Sequence, residues 1–139
     1  MLPANVKQFT TYNHRGVLTC FRKNGMPQVS IVTCGAYGDG VAFSTTADRA
    51  KLINLHRDPR CSLMISKEDW WAYMVLEGKA TILSADNTPV DELRDSLREV
   101  YKAATNTEHH NWPEYDQAMV DDQRAAVIVV PDHIYGTAL

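Results

Sequence analysis

The chain has 139 residues, 45% of them hydrophobic and 22% charged, which is the balance of one compact domain long enough to bury a core. A formal net charge of -3 argues against nucleic acid as the main partner, because binding a phosphate backbone calls for a broad basic face. No apolar run approaches the ~20 residues of a membrane span, and the opening Met1–Lys7 lacks the apolar core of a signal peptide, so a cytoplasmic protein with no membrane partner is expected.

Ala4–Tyr12 reads as a short helix with Val6 and Phe9 on one face. Gly16–Arg22 is rich in β-branched and aromatic residues and reads as a strand. Asn24-Gly25 then signals a hairpin, lengthened by Met26-Pro27. The next strand, Gln28–Cys34, alternates: Val29, Ile31 and Thr33 on one face, Gln28, Ser30, Val32 and Cys34 on the other. Gly35–Gly40 reads as a turn, and Val41–Thr45 as a third consecutive antiparallel strand. A helix beginning near Asp48 carries Leu52, Ile53, Leu55 and His56 and is stopped by Asp58-Pro59.

Arg60–Ser66 has the look of a buried strand, and Trp70–Leu83 is a long one with Gly78 as a bulge or bend. Thr88-Pro89-Val90-Asp91 predicts a helix start with Thr88 as the capping hydroxyl. Leu93, Leu97, Val100, Tyr101 and Ala104 follow at helical spacing as one apolar stripe. Asn111-Trp112-Pro113-Glu114 opens a shorter helix through Met119, and two closing strands, Ala125–Val130 and His133–Ala138, hinge at Pro131-Asp132. The sum is mainly β with inserted helices, six or seven strands that are mostly antiparallel, and the Gly-rich turns favour a barrel over an open sheet.

The stretch Phe43–Arg60 carries the most chemistry. A strand runs through Ser44, Thr45 and Thr46 into the first turn of a helix, with the cations Arg49 and Lys51 placed inside that turn. A helix N-terminus presents unpaired N–H groups and the positive end of the macrodipole. Hydroxyls and cations added there make a site for phosphate or carboxylate. The competing reading is a solvated face on which Asp48 and Asp58 neutralise the cations. Elsewhere, Cys20, Cys34 and Cys61 form no paired motif and read as reduced, mostly buried thiols. His109-His110 has no further ligand at metal spacing and reads as a solvated loop. No nucleophile–base–acid series and no Rossmann-type glycine loop is present.

Several segments, taken in order, resemble the pyridoxamine phosphate oxidase-like family of flavin and deazaflavin enzymes. They are Gly16-Val17-Leu18-Thr19, Asn24 to Ser30, Phe43 to Arg60, Trp71 to Ala80, Tyr115 to Val120, and Pro131-Asp132-His133-Ile134-Tyr135-Gly136. The tail and the Asp58-Pro59-Arg60 ending are most similar to the branch of small reductases that use the deazaflavin coenzyme F420. True pyridoxamine phosphate oxidases have a longer C-terminal segment with cations that hold pyridoxal phosphate, so that specific activity is not expected.

The resemblance implies an FMN-binding split β-barrel of Greek-key type, forming a homodimer with two cofactor sites at the subunit interface. It implies that Ser44, Thr45, Arg49 and Lys51, with Asn54 as a weaker candidate, hold the cofactor phosphate. Gln28 and Ser30 would line the ring, against the plainer reading that their face meets solvent or satisfies barrel-end hydrogen bonds. Trp71 and Tyr73 would wall the substrate pocket or stack near the ring, against a role in core or dimer packing. The implied reaction is hydride transfer from reduced F420 to an activated C=C or C=N bond of a conjugated small molecule, with the cofactor carrying the difficult chemistry. The alternatives are an FMN oxidoreductase on the same barrel and a non-catalytic carrier of a flavin, deazaflavin or haem-like ligand.

Overall fold

The computed structural model describes residues 1–139 and contains seven strands and four helices. The elements are α1 (Ala4–Tyr12), β1 (Arg15–Phe21), β2 (Pro27–Thr33), β3 (Gly35–Tyr37), β4 (Gly40–Thr46), α2 (Ala50–Arg57), β5 (Arg60–Ser66), β6 (Tyr73–Leu83), α3 (Val90–Thr105), α4 (Trp112–Asp121) and β7 (Arg124–Tyr135). All strand pairings are antiparallel, in the order β2-β1-β5-β6-β7-β4-β3. The edge strands β2 and β3 are neighbours in sequence but do not pair, so the curled sheet stays open along that seam. This is the expected split barrel. One expectation changes: the three early strands do not sit side by side, because β4 pairs with β7 and β3, at the far end of the sheet from β2.

The curl wraps the main core. Leu18, Val41, Phe43, Leu63, Ile65, Met74, Leu76, Val127 and Val129 are all fully buried on its inner face, joined by Leu52 and Leu55 of α2 and Val6 of α1. Alternation explains the pattern, since neighbouring strand residues face opposite ways. In β4 and β7 the opposite face is buried too: Ala42, Ala126 and Ile128 pack under Leu97 and Val100 of α3 and Tyr115 of α4. The apolar stripe read from the α3 sequence is the strip that covers them. No helix is long and apolar enough to cross a membrane.

Several boundaries differ from the sequence reading. Gly35–Tyr37 is a short edge strand rather than part of a turn. There α3 lies directly on the backbone, and a Cβ on Gly35 would stand 2.2 Å from the Ala103 carbonyl oxygen. The Trp70–Trp71 pair lies in a turn before β6, with Trp70 at φ 67. The helix α3 begins after Pro89, and the Thr88 hydroxyl donates to Asn87 Oδ1 (2.6 Å) instead of capping it. By contrast, Asn111 caps α4 as its sequence implies, its side chain accepting from the Glu114 N–H at 3.1 Å.

The two closing strands are one, and Pro131-Asp132 is a bulge in it rather than a hinge. Glu77 pairs with His133 and Gly78 with Pro131, leaving Asp132 as the extra residue. Proline is tolerated there because β4 stops pairing with β7 at Val129. His109 and His110 stack on each other (centroids 4.6 Å apart), with His109 set among Tyr101, Trp112 and Tyr115.

Because a side chain at Gly35 meets backbone and not a flexible side chain, Gly35→Ala has no cheap relaxation. Equilibrium urea unfolding is expected to show a loss of about 2 kcal/mol or more; an unchanged midpoint would mean that α3 does not rest on β3 in solution.

Candidate functional site: a cationic strand-to-helix junction

The sheet register brings one end of the barrel to a single place. The C-terminal ends of β1, β4 and β6 meet there with the N-terminal ends of β2, β5 and β7, and α2 crosses it. Arg49 is the N-cap residue of α2, in extended conformation, and Lys51 lies in the first turn; the helix therefore starts one to two residues later than its sequence suggests. No side chain caps it, so its first N–H groups stay free for a ligand.

Neither Arg49 nor Lys51 has a carboxylate within ion-pair distance. Asp48 accepts the Thr46 hydroxyl at 2.6 Å. Asp58 turns away to grip Arg60, at 2.7 Å from Nη2, and that hydrogen-bonded pair holds its carboxyl down to about 2. Neither acid forms an ion pair with an α2 cation, although Asp48 and Arg49 are both exposed and the charge of Arg49 adds to the Thr46 hydrogen bond in lowering the Asp48 pKa. Lys51 is half-buried, and burial lowers its pKa, with the nearby positive charges of Arg49 and Arg124 adding to the effect.

Arg124, the first residue of β7, is the member that the sequence reading missed. Its Nη1 donates to Ser44 Oγ at 3.2 Å and to the Ser44 carbonyl at 3.4 Å, while its buried Nε finds no hydrogen-bond acceptor. No local motif marks it; only the pairing of Thr46 with Arg124 in the β4–β7 ladder brings it to the junction.

The strand alternation splits the two predicted hydroxyls. Ser44 lies on the helix-covered face with Arg124, whereas Thr45 points to the inner face and is buried. Below α2, Asn54 is buried and its Oδ1 accepts from Arg57 at 3.0 Å. Arg57 is also fixed by the Phe21 carbonyl (2.7 Å), and Arg60 lies over the Phe21 ring. Cys20 packs in the same place, its thiol donating to Gln28 Oε1 at 3.1 Å. Burial pushes that thiol up, against opposing pulls from Asn54, Lys51 and Arg57.

Gln28 and Ser30 thus face inward, and it is the apolar face of β2, with Val29 and Ile31, that is exposed. The Ser30 hydroxyl is buried with no partner. Buried polar atoms are seldom left so, and an unspent hydroxyl two residues from Gln28 is what a ring with polar edges would satisfy. A helix N-terminus with two cations that have no ion-pair partner suits an anion such as phosphate. Trp71 and Tyr73 are not brought to this end. Tyr73 pairs with Ser66, one step beyond the Gly16–Ile65 pair, which puts it about 16 Å along the strands from Cys20 at roughly 3.3 Å per residue.

Residues 2–138 match the profile of the family described as Pyridoxamine 5'-phosphate oxidase. The chain belongs to that family. Solved structures agree on the fold. A conserved hypothetical protein of Mycobacterium tuberculosis superposes with a TM-score of 0.79 at 22% identity, covering 98% of this chain and 84% of that one. A protein described as an F420 reductase superposes at 0.66, also with 22% identity, over 96% of this chain and 98% of its own. A heme binding protein of Mycobacterium smegmatis gives 0.65 at 18% identity, over 99% of this chain and 55% of that one. The family includes oxidoreductases and binds flavin-type cofactors.

The lowered pKa of Lys51 has a signed consequence. Its burial as ammonium costs stability at neutral pH, and the cost is relieved as pH rises through the folded pKa toward the unfolded value near ~10.4. A phosphate bound there reverses the penalty. Affinity for a phosphate-bearing flavin or deazaflavin is therefore expected to stay flat near neutrality and to fall at a pH below the ordinary lysine range. Lys51→Arg should flatten the curve, because guanidinium keeps its proton. Titrations between pH 7 and 10 test this, and an identical decline in the arginine variant would remove Lys51 from the site.

Proposed function

We propose that the protein is an F420-dependent reductase that delivers a hydride to an activated C=C or C=N bond of a conjugated small molecule. The observation that carries this reading is the set of three cations, Arg49, Lys51 and Arg124, that converge on the N-terminus of α2 with no carboxylate to neutralise the first two. Three cations exceed the need of one phosphomonoester and suit a phosphodiester followed by a carboxylate-rich tail. The F420 reductase among the structural neighbours supports the choice as a likeness of fold.

In this reading Arg49 and Arg124 grip phosphate oxygens as planar forks and Lys51 adds a point charge. The free N–H groups of α2 contribute the remaining donors. Gln28 and Ser30 meet the polar edge of the ring from the inner face, and the Ser30 hydroxyl gains the partner it lacks. Cys20 and Thr45 close the inner side against water, which protects a hydride from competing reactions. Bound F420 supplies the hydride chemistry itself.

The protein acts as a homodimer in the same proposal. A cross-strand row of Ile31, Val17, Met64, Val75 and Tyr135 runs over the outer face of the sheet, with Ile31 70% exposed, and Trp71 is 84% exposed beyond the end of that face. A second copy on this row would cover it, and Trp71 and Tyr73 of the partner subunit would then be free to reach the opposite cofactor site.

Titration with F420, FMN and FAD, followed by fluorescence or binding heat, tests the proposal. Micromolar or tighter F420 binding without FMN binding is expected, and the reverse result would assign an FMN oxidoreductase instead. Lys51→Ala is expected to weaken F420 binding about tenfold or more with unchanged thermal unfolding. Turnover of reduced F420 against a panel of conjugated acceptors separates an enzyme from a carrier; tight binding with no oxidation by any acceptor would identify a carrier.

A further inference from the structure

A cavity of about 790 Å³ lies between α2, α3, α4, the start of β7 and the turn that follows β6. Its size is that of a small-molecule pocket. Leu52, Leu93, Leu97, Met119 and Val120 give it an aliphatic wall, and His56 is the one ring with aromatic character beside them. An aliphatic chain fits such a surface; a flat conjugated ring would find no Phe, Tyr or Trp to stack upon.

The charges at its rim are mostly spent. Asp116 is held by both Nε and Nη2 of Arg98. Arg94 pairs with Asp91 and Asp95, and Asp86 accepts the Ser84 hydroxyl. Arg124 is the exception. Its Nε is buried without an acceptor, and the nearest carboxylate, Asp122, stands 4.0 Å away and is half exposed. A guanidinium held at Nη1 by Ser44, with no hydrogen bond made by Nη2, at the edge of an aliphatic cavity complements one anionic head on an aliphatic body.

We infer that this cavity is a binding site for an aliphatic monocarboxylate, its chain among Leu93, Leu97, Met119 and Val120 and its carboxylate on Arg124. The cavity is lined by neither Gln28 nor Ser30 and shares Arg124 with the cationic junction. Occupancy of the two is thereby coupled through one side chain. The inference does not depend on which cofactor the junction takes.

The probe is decanoate, with decanamide as the uncharged match, followed by amide chemical-shift titration of the full chain. Saturable shifts confined to α2, α3, α4 and the start of β7 are expected, with decanoate preferred over decanamide by about tenfold, as a charge-assisted hydrogen bond warrants. Arg124→Gln should erase that preference. Val120 is 66% exposed, so Val120→Trp fills the cavity without disturbing the core. It should abolish decanoate binding while leaving F420 or FMN affinity and thermal unfolding as they were, whereas Lys51→Ala should weaken cofactor binding and leave decanoate binding and thermal unfolding unchanged.

Shifts elsewhere, equal binding of acid and amide, or binding that survives Val120→Trp would overturn the inference. So would a change in the oligomeric state of the ligand-free protein on Val120→Trp, since that result would make the cavity a contact between copies.

Discussion

The rest of the molecule depends on the double pairing of β7. This twelve-residue strand is laddered to β6 along one side and to β4 along the other, and its first half is buried on both faces. Val127 and Val129 enter the barrel core while Ala126 and Ile128 support α3 and α4. Strands buried on both sides read as continuous apolar runs, and Ala125–Val129 is such a run. Because β7 joins the two halves of the sheet, its register fixes which residues meet at the barrel end, Arg124 among them.

That register turns a local signal into a site. A helix N-terminus with two cations is common on protein surfaces and often means nothing more than solvation. Here Asp48 accepts the Thr46 hydroxyl, Asp58 pairs with Arg60, and a third cation is delivered from more than seventy residues away. Burial lowers the Lys51 pKa, and the nearby charges of Arg49 and Arg124 add to the effect, so the ammonium is held at a cost in the ligand-free protein. Bound anions repay such arrangements, which is why charge clusters of this kind mark functional sites more often than structural ones.

The helix α2 touches two environments. On its barrel side lie Asn54, Cys20, Gln28 and the orphaned Ser30 hydroxyl, a polar lining within an otherwise apolar interior. It also borders the aliphatic cavity, together with α3 and α4. Arg124 borders the junction and the cavity alike, hydrogen-bonded to Ser44 on one and lining the other.

Much of this was legible in the residues themselves. Periodicity and turn chemistry located α1, the Asn24-Gly25 hairpin and the helix start at Asn111, because each rests on local backbone preferences, and marked Gly78, which faces the bulge carried by β7. The anion character of Phe43–Arg60 was equally local, since strand, hydroxyls, cations and helix start are contiguous. Tertiary structure alone decided the remainder. Alternation showed that Gln28 and Ser30 share a face but not that the face points inward, for the exposed one, with Val29 and Ile31, is the more apolar. Ser44 and Thr45, adjacent in sequence, were separated onto opposite faces by the pleat. Arg124 and the cavity beside it exist only through the β4–β7 ladder and the packing of three helices. A single chain read in order carries its backbone preferences openly, while its cross-strand neighbours are set by registry, which no local pattern encodes.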